Sequence, residues 1–240
     1  MERFSRLERL LGPEAVERLC AARVTVAGLG AVGSYAVEGL ARSGIGALGL
    51  VDFDRVETTN INRQLFALEG TIGELKTAVA GRRVRDINPD CRVEEIALRI
   101  TAETADSVLE PPPDILVDAI DSFASKADLL EKAWRRGIPV VSSMGAALHR
   151  DPLSVRIGDL FDTTVCPLAR RLRSELKTRG VGRGITCVYS VEHIAGNKAA
   201  AADASSEARA PLGSLATIPG IFGLTIAQTA VDLLIGRAPR

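Results

Sequence analysis

Apolar residues recur along the chain at two spacings, one near 3.6 and one of 2, and segments of the two kinds alternate. A first amphipathic stretch, "ERFSRLERLLG", ends at Gly12 and Pro13, and a second, "PEAVERLCAA", runs into the apolar strand "RVTVAGLG". "AVGSYAVEGLARSG" then has helical spacing and stops at Gly44, before the strand "ALGLVDFD". Strand, helix and strand within about thirty residues is the size of a βαβ unit with parallel strands. The alternation continues through the helix "GELKTAVAGRRVRDIN", the strand "CRVEEIALRI", the helix "TAETADSVLE" and the strongly apolar strand "DILVDAID". The helix "SFASKADLLEKAWRRG" and the strand "IPVVSSMGA" complete this part.

Such alternation predicts an α/β fold: a doubly wound, Rossmann-like, mostly parallel sheet with helices on both faces and ligands at the carboxyl ends of its strands. Beyond residue 150 the order weakens, with strands in "DPLSVRIGDL" and "GITCVYSVEHI" flanking a basic helix, "PLARRLRSELKTRG". The Ala-, Ser- and Gly-rich stretch around 196–211 is expected to be a mobile loop. One domain over 1–240 is expected: N-terminal helices at 1–22, a nucleotide-binding core at 23–150, and a completing part at 151–240.

Composition narrows the picture little. Thirty basic and thirty acidic residues argue against binding nucleic acid by overall charge, though not against a local patch. Cys20, Cys91, Cys166 and Cys187 form no C-x-x-C pair, so neither a zinc ribbon nor a disulfide framework is expected. The charged start has no secretory core, which fits a cytoplasmic protein. Ala210 to Val231 carries no charge and is long enough to span a bilayer, but Pro211, Pro219, Gln228 and neighbouring hydroxyls make it read as a core helix. Stable membrane insertion is therefore not expected.

"GLGAVG", Gly28 to Gly33 with Gly30 and Ala31 between them, follows a strand and opens a helix. Its backbone N–H groups can face phosphate there. Asp52 ends the next strand, where a carboxylate can bond ribose hydroxyls. Both features serve a nicotinamide-dependent oxidoreductase equally well, so discrimination comes from the loop that follows. It holds Asp54, Asn60, Asn62, Arg63 and Gln64, with Lys76 starting the next helix and Asp121 after the strand "DILVDAID". Hydride transfer has little use for two cations and an extra carboxylate beside the phosphates. Displacement of pyrophosphate from ATP by a carboxylate does, because the transition state joins anions and needs cations and a bound Mg²⁺. Arg63 and Lys76 can supply the cations, Asp121 the metal ligand, and Asn60 and Gln64 uncharged donors.

Together the motifs G-x-G-x-x-G, "DFD", "NxNRQ", a lysine and "DAIDS" resemble the ubiquitin-activating-enzyme-like (ThiF-type) superfamily of ATP-dependent adenylating proteins over nearly the whole chain. "RFSRLERLLG", "ARRLRSELKTRG", "TCVYSVE" and "GSLATIPGIFGLTIAQ" resemble its branch of tRNA threonylcarbamoyladenosine dehydratases. The resemblance implies a homodimer, Asp52 on ribose, Asn60 to Arg63 and Lys76 around the triphosphate, and Asp121 with Mg²⁺. It also implies that Arg6 is inserted at the phosphates of the partner subunit's site. Ala31 departs from relatives with a third glycine, and Ser122 stands where sulfur-carrier-activating relatives have Asn. A monovalent cation at the site and a docked sulfur-relay protein are left open.

The substrate reading rests on what the second half contains. Sulfur-carrier-activating relatives hold zinc through C-x-x-C pairs that this chain lacks. Arg170, Arg171, Arg173, Lys177, Arg179 and Arg183, with Glu175 as the one acid among them, form a run suited to an RNA backbone, and "RRVR" at 82–85 could extend it. The expectation is ATP-dependent cyclisation of the threonylcarbamoyl group on an adenosine in tRNA. The alternatives are adenylation of a ubiquitin-like sulfur carrier and, in another class, nicotinamide-dependent oxidoreduction. Cys187 is expected to be a buried structural thiol.

Overall fold

Strands β1 (Arg23–Ala27), β2 (Ala47–Val51), β3 (Arg92–Ile96), β4 (Ile115–Asp118), β5 (Val140–Ser143), β6 (Val155–Asp159) and β7 (Ile185–Ser190) form one sheet. Its order is β3-β2-β1-β4-β5-β7-β6. This computed structural model describes residues 2–194 and 212–238, so the loop expected at 196–211 lies outside the described residues. Pairing is parallel throughout except for β6, which runs antiparallel along β7 at the edge. The chain steps outward from β1 to β3, then resumes at β4 on the other side of β1. That reversal opens a crevice at the carboxyl ends of β1 and β4, where doubly wound sheets bind ligands.

Both faces are covered, which is why the central strands read as nearly continuous apolar runs. One face buries Val24, Val26, Leu48, Leu50, Ile115 and Val117 under α2 (Pro13–Ala21), α3 (Gly33–Arg42), α4 (Lys76–Ile87) and α8 (Thr217–Leu234). The other buries Ala27, Val51, Leu116 and Val140 under α5 (Ala105–Val108), α6 (Phe123–Arg135) and α7 (Pro167–Thr178). The short α1 (Ser5–Leu11) lies outside, joined to α2 through Gly12, whose φ of +89 lets Pro13 begin the new helix.

The expected helix "TAETADSVLE" is a single turn, α5. Thr101 and Thr104 satisfy the backbone locally, with Thr104 Oγ1 accepting from Thr101 N–H at 2.9 Å and donating to Arg99 O at 2.8 Å. Pro111, Pro112 and Pro113 then prevent continuation. The basic stretch 82–85 does not extend a free patch: Arg82 pairs with Glu74, Arg83 with Glu38 and Arg85 with Glu95.

Helix α8 is long and apolar enough to cross a membrane, yet 10 of its 18 residues are buried against α3 and the sheet. The α3 contact depends on glycine. A Cβ at Gly39 would sit 2.7 Å from the Ala227 methyl, and one at Gly223 would sit 2.4 Å from Val32 O. Gly223→Val should force the two helices apart and lower the unfolding free energy by about 1–3 kcal/mol or more, measured by urea denaturation.

Candidate active site

The β1 loop is built by backbone proximity. Gly28, at φ +88, leaves the strand while its N–H bonds Val51 O at 2.8 Å. A Cβ there would lie 2.7 Å from Ala119 O, in the turn after β4, and a Cβ on Gly33 would lie 1.8 Å from Gly28 O. Glycine is therefore required at both positions by close contact, and at Gly28 by its positive φ as well. Gly30 is open, its nearest neighbour being Gln64 Nε2 at 3.9 Å from where a Cβ would stand. Ala31 takes the third position with no positive φ, so its methyl carries no backbone strain. Ser34 N–H bonds Gly30 O at 3.0 Å and Ala36 N–H bonds Val32 O at 3.1 Å, which closes the first turn of α3 onto the loop.

Asp52 clasps this loop. Its Oδ2 accepts from Leu29 N–H at 2.7 Å and its Oδ1 from Asp54 N–H at 2.9 Å. Burial pushes the Asp52 carboxyl above its ordinary 3.8, against the opposing pull of Lys76 and of those two N–H groups. Lys76 starts α4 almost wholly buried, and its Nζ lies 2.8 Å from Asp54 Oδ2, a carboxylate that is about half exposed. Phe53, between the two acids, exposes half its surface, and the Arg99 guanidinium stacks over its ring at 5.1 Å.

The polar segment after β2 folds as a short 3₁₀ turn, Thr58–Asn60, with Asn60 Oδ1 accepting from Glu57 N–H at 3.2 Å. Asn60 and Gln64 are buried, the latter over Gly30. Arg63 Nη1 donates to Thr59 O and to Asn62 Oδ1, both at 2.8 Å, and Asn62 Nδ2 donates to Ser214 O at 3.2 Å. The loop is thereby tied to the chain just before α8.

β4 ends at Asp118, and a turn carries Asp121 and Ser122 into α6. Ser122 occupies the cap position, yet no side chain caps this helix. Among the described residues the Asp121 carboxylate, which is exposed, has no hydrogen bond or ion pair. Helix capping therefore does not account for it. No group of three or more potential ligands occurs among the described residues. One carboxylate beside a phosphate site suits Mg²⁺, which keeps most of its shell as water and phosphate oxygen, and does not suit an all-protein metal cage.

Asp118, Lys126 and Ser142 were not singled out by sequence. Asp118 and Lys126 form an ion pair of 2.7 Å with both side chains at 0% exposure, and Ser142 Oγ donates to Asp118 Oδ2 at 2.6 Å. A signal existed: Lys126 falls in the apolar phase of α6, in line with Leu129, Leu130 and Ala133.

Arg179 is held by Asp128 at 2.7 Å and by Glu175 and Glu131, and Arg183 pairs with Asp162. Arg173 donates to Thr163 O at 2.9 Å. The guanidinium of Arg171 lies 4.6 Å from the Phe123 ring centre, one residue past Ser122, so the first turns of α7 border the crevice. Arg170 and Lys177 are exposed. Arg6 is exposed on α1, two residues after Phe4, which packs at 3.4 Å from a Cβ on Gly44, just past the far end of α3. Ten residues of helix, about 15 Å, separate that end from the glycine loop. Cys187 is fully buried and burial pushes its thiol up to about 12, so it is no nucleophile in this state.

A glycine loop on a helix N-terminus, a ribose-type acid after β2, and cationic and acidic side chains from three further segments define a nucleotide-binding protein of the doubly wound class. The model of the ThiF family matches residues 4–240, and the chain belongs to that family. It is 37% identical to the tRNA threonylcarbamoyladenosine dehydratase of Bacillus subtilis, over 98% of this chain and 95% of that protein. With the Escherichia coli protein of the same name it shares 39% identity over 80% of this chain and 75% of the other. The crystal structure of E. coli TcdA with AMP superposes with a TM-score of 0.88 at 34% identity, covering 98% and 94% of the two chains; the ATP complex gives 0.89. The ThiS adenylyltransferase of B. subtilis is 35% identical over 57% of this chain and 42% of its own length. E. coli MccB, at 21% identity and a TM-score of 0.68, shares the fold.

The raised Asp52 carboxyl makes a signed prediction. The unfolded group releases its proton at its ordinary 3.8 and the folded one at higher pH. Between those values the native state holds the extra proton, so this group's contribution to stability falls as pH rises through the window. Asp52→Asn should remove that slope from urea midpoints measured across the window. Nucleotide affinity of the unaltered protein should weaken on acidification through the same window, while the variant binds weakly at every pH.

Proposed function

We propose that this chain is an ATP-dependent adenylating enzyme that cyclises the threonylcarbamoyl group on an adenosine of tRNA. The threonyl carboxylate attacks the α-phosphorus of ATP, pyrophosphate departs, and an acyl-adenylate forms. The carbamoyl nitrogen or oxygen of the same group then attacks the activated carbonyl, a carbamoyl N–H gives up its proton, and AMP is expelled. The departing carboxylate oxygen leaves in AMP, so the tRNA loses one water in net terms. The second nucleophile is tethered to the activated carbonyl, so closure benefits from high effective concentration and calls for no enzyme thiol.

The observation that carries this reading is the convergence at the β1/β4 crevice: the Asp52 clasp on Leu29, the Lys76 to Asp54 pair, and the Asp121 turn against Gly28. In this assignment Gly30, Ala31 and Gly33 cradle phosphate through backbone N–H groups, Gly28, whose own N–H is spent on Val51 O, lets the loop leave the strand, and Asp52 accepts from ribose. Lys76 and Arg63 face the departing pyrophosphate, with Asn60, Asn62 and Gln64 shaping the loop that holds them. Asp121, with Ser122 beside it, would hold Mg²⁺, which when bound spreads the charge of the departing phosphates. Lys76 already rests on an exposed carboxylate, so triphosphate can take over a cation that is in place.

The position of Arg6 supports a homodimer, because an arginine at the far end of its own α3 serves a nucleotide site only on a second copy. RNA contact is assigned to the α7 side of the crevice, where Arg170 and Lys177 are exposed and Arg171 lies over the Phe123 ring. A tRNA-modifying role fits the cytoplasm. Adenylation of a sulfur carrier is the second reading. The dehydratases support the first, because they match across the half after residue 150, where substrate choice would lie.

Mass spectrometry of nucleosides after incubating threonylcarbamoyladenosine-bearing tRNA with the protein, ATP and Mg²⁺ should show loss of one water; exchange of pyrophosphate into ATP stimulated by a sulfur carrier and not by tRNA would favour the second reading. Arg63→Ala, Lys76→Ala and Asp121→Ala should each lower turnover by about 100-fold or more while leaving thermal unfolding nearly unchanged. Equal mixing of Arg6→Ala and Asp121→Ala subunits should restore about a quarter of full activity, since mixed dimers form half the population and each has one intact site.

A further inference from the structure

We propose that Asp118, Lys126 and Ser142 are positioning residues that lock the 119–122 turn, and so present Asp121 to Mg²⁺-bound ATP. This rests on the adenylating reading above and goes beyond it. The three lie beneath the turn on the α6 face of the sheet, where Asp118 and Ser142 are opposite one another in register on β4 and β5. None touches solvent.

Their bonds converge on one peptide unit. Asp118 Oδ1 accepts from Ile120 N–H at 3.1 Å, and Lys126 Nζ donates to Ile120 O at 3.0 Å. Asp118 Oδ2 takes the other Lys126 bond and the Ser142 hydroxyl. Both backbone groups of Ile120 are thus committed to buried side chains. On its other side the turn is held by Ala119, whose N–H bonds Ala27 O at 2.8 Å and whose carbonyl abuts Gly28. Asp121 is the next residue, with a carboxylate that has no protein partner among the described residues. A ligand side chain on such a backbone is preorganised for a cation without ordering a loop on binding.

A fully buried ion pair is a poor device for stability alone, because well-packed apolar residues of like volume commonly do as well or better. That separates the positioning role from a structural one and supplies the test. The double substitution Asp118→Leu with Lys126→Met removes both charges together and should fold. Calorimetry of the full-length protein would measure AMP binding, and ATP binding with and without Mg²⁺. AMP affinity should stay near that of the unaltered protein, since the glycine loop and Asp52 are untouched. The gain in ATP affinity that Mg²⁺ provides should fall about 10–100-fold, as for other residues that orient a metal ligand. Ser142→Ala, which removes one bond and leaves the pair, should show a smaller loss in the same quantity.

Retention of the full Mg²⁺ gain by the double variant overturns the assignment, as does an equal loss of AMP and Mg²⁺-ATP affinity. If the double variant does not fold, an unchanged Mg²⁺ gain in Ser142→Ala overturns it instead. Failure of the unaltered protein to bind ATP at all removes the adenylating reading and this assignment with it. Unaltered binding beside an unaffected variant removes this assignment alone.

Discussion

At the mouth of the sheet, the backbone leaving β1 and the backbone leaving β4 approach so closely that no side chain fits between them. A Cβ on Gly28 would press on Ala119 O, and one on Gly33 would overlap Gly28 O. This contact seats the glycine loop against the turn that bears Asp121. Without it the loop and the carboxylate would belong to separate strands with independent motions. Glycine here acts by permitting contact, and the contact couples two halves of the site.

Charge in the site is arranged before any ligand arrives. Lys76 is buried and leans on Asp54, Asp52 bears a burial penalty while gripping Leu29, and Arg63 is folded onto its own turn. Each charged group is held within bonding distance of protein partners, so its reorganisation on binding polyphosphate is small. The buried Asp118 to Lys126 pair continues the pattern one layer down, fixing backbone where the groups above it fix side chains. Arg6, on α1, has no such arrangement among the described residues.

Several elements could be read from spacing because their cause is local. The strand-helix alternation, the glycine loop, and Asp52 at the end of β2 follow from apolar period and the backbone demands of a tight turn. The charge run after Pro167 could not be read this way. Arg179 and Arg183 find Asp128 and Asp162, which lie 51 and 21 residues away, so the run is part scaffold. Thr101 and Thr104 likewise turned a stretch of helical pattern into one turn by bonding the backbone themselves. Lys126 was legible in principle, as a cation in an apolar phase, but its partner Asp118 lies on a strand and is brought to it only by the packing of α6 on the sheet.

By itself, then, the order of residues determined the winding of the sheet, the position of its crevice, and which polar segments border it, since these depend on periodicity and on chain direction at strand ends. Tertiary structure decided which charges are available and which are spent. It paired Asp118 with Lys126, and held Arg179 and Arg183, just after α7, on Asp128 and Asp162. The reason is physical: a hydrophobic period is a property of neighbours along the chain, whereas the state of a charge depends on what the fold brings within a few ångströms of it.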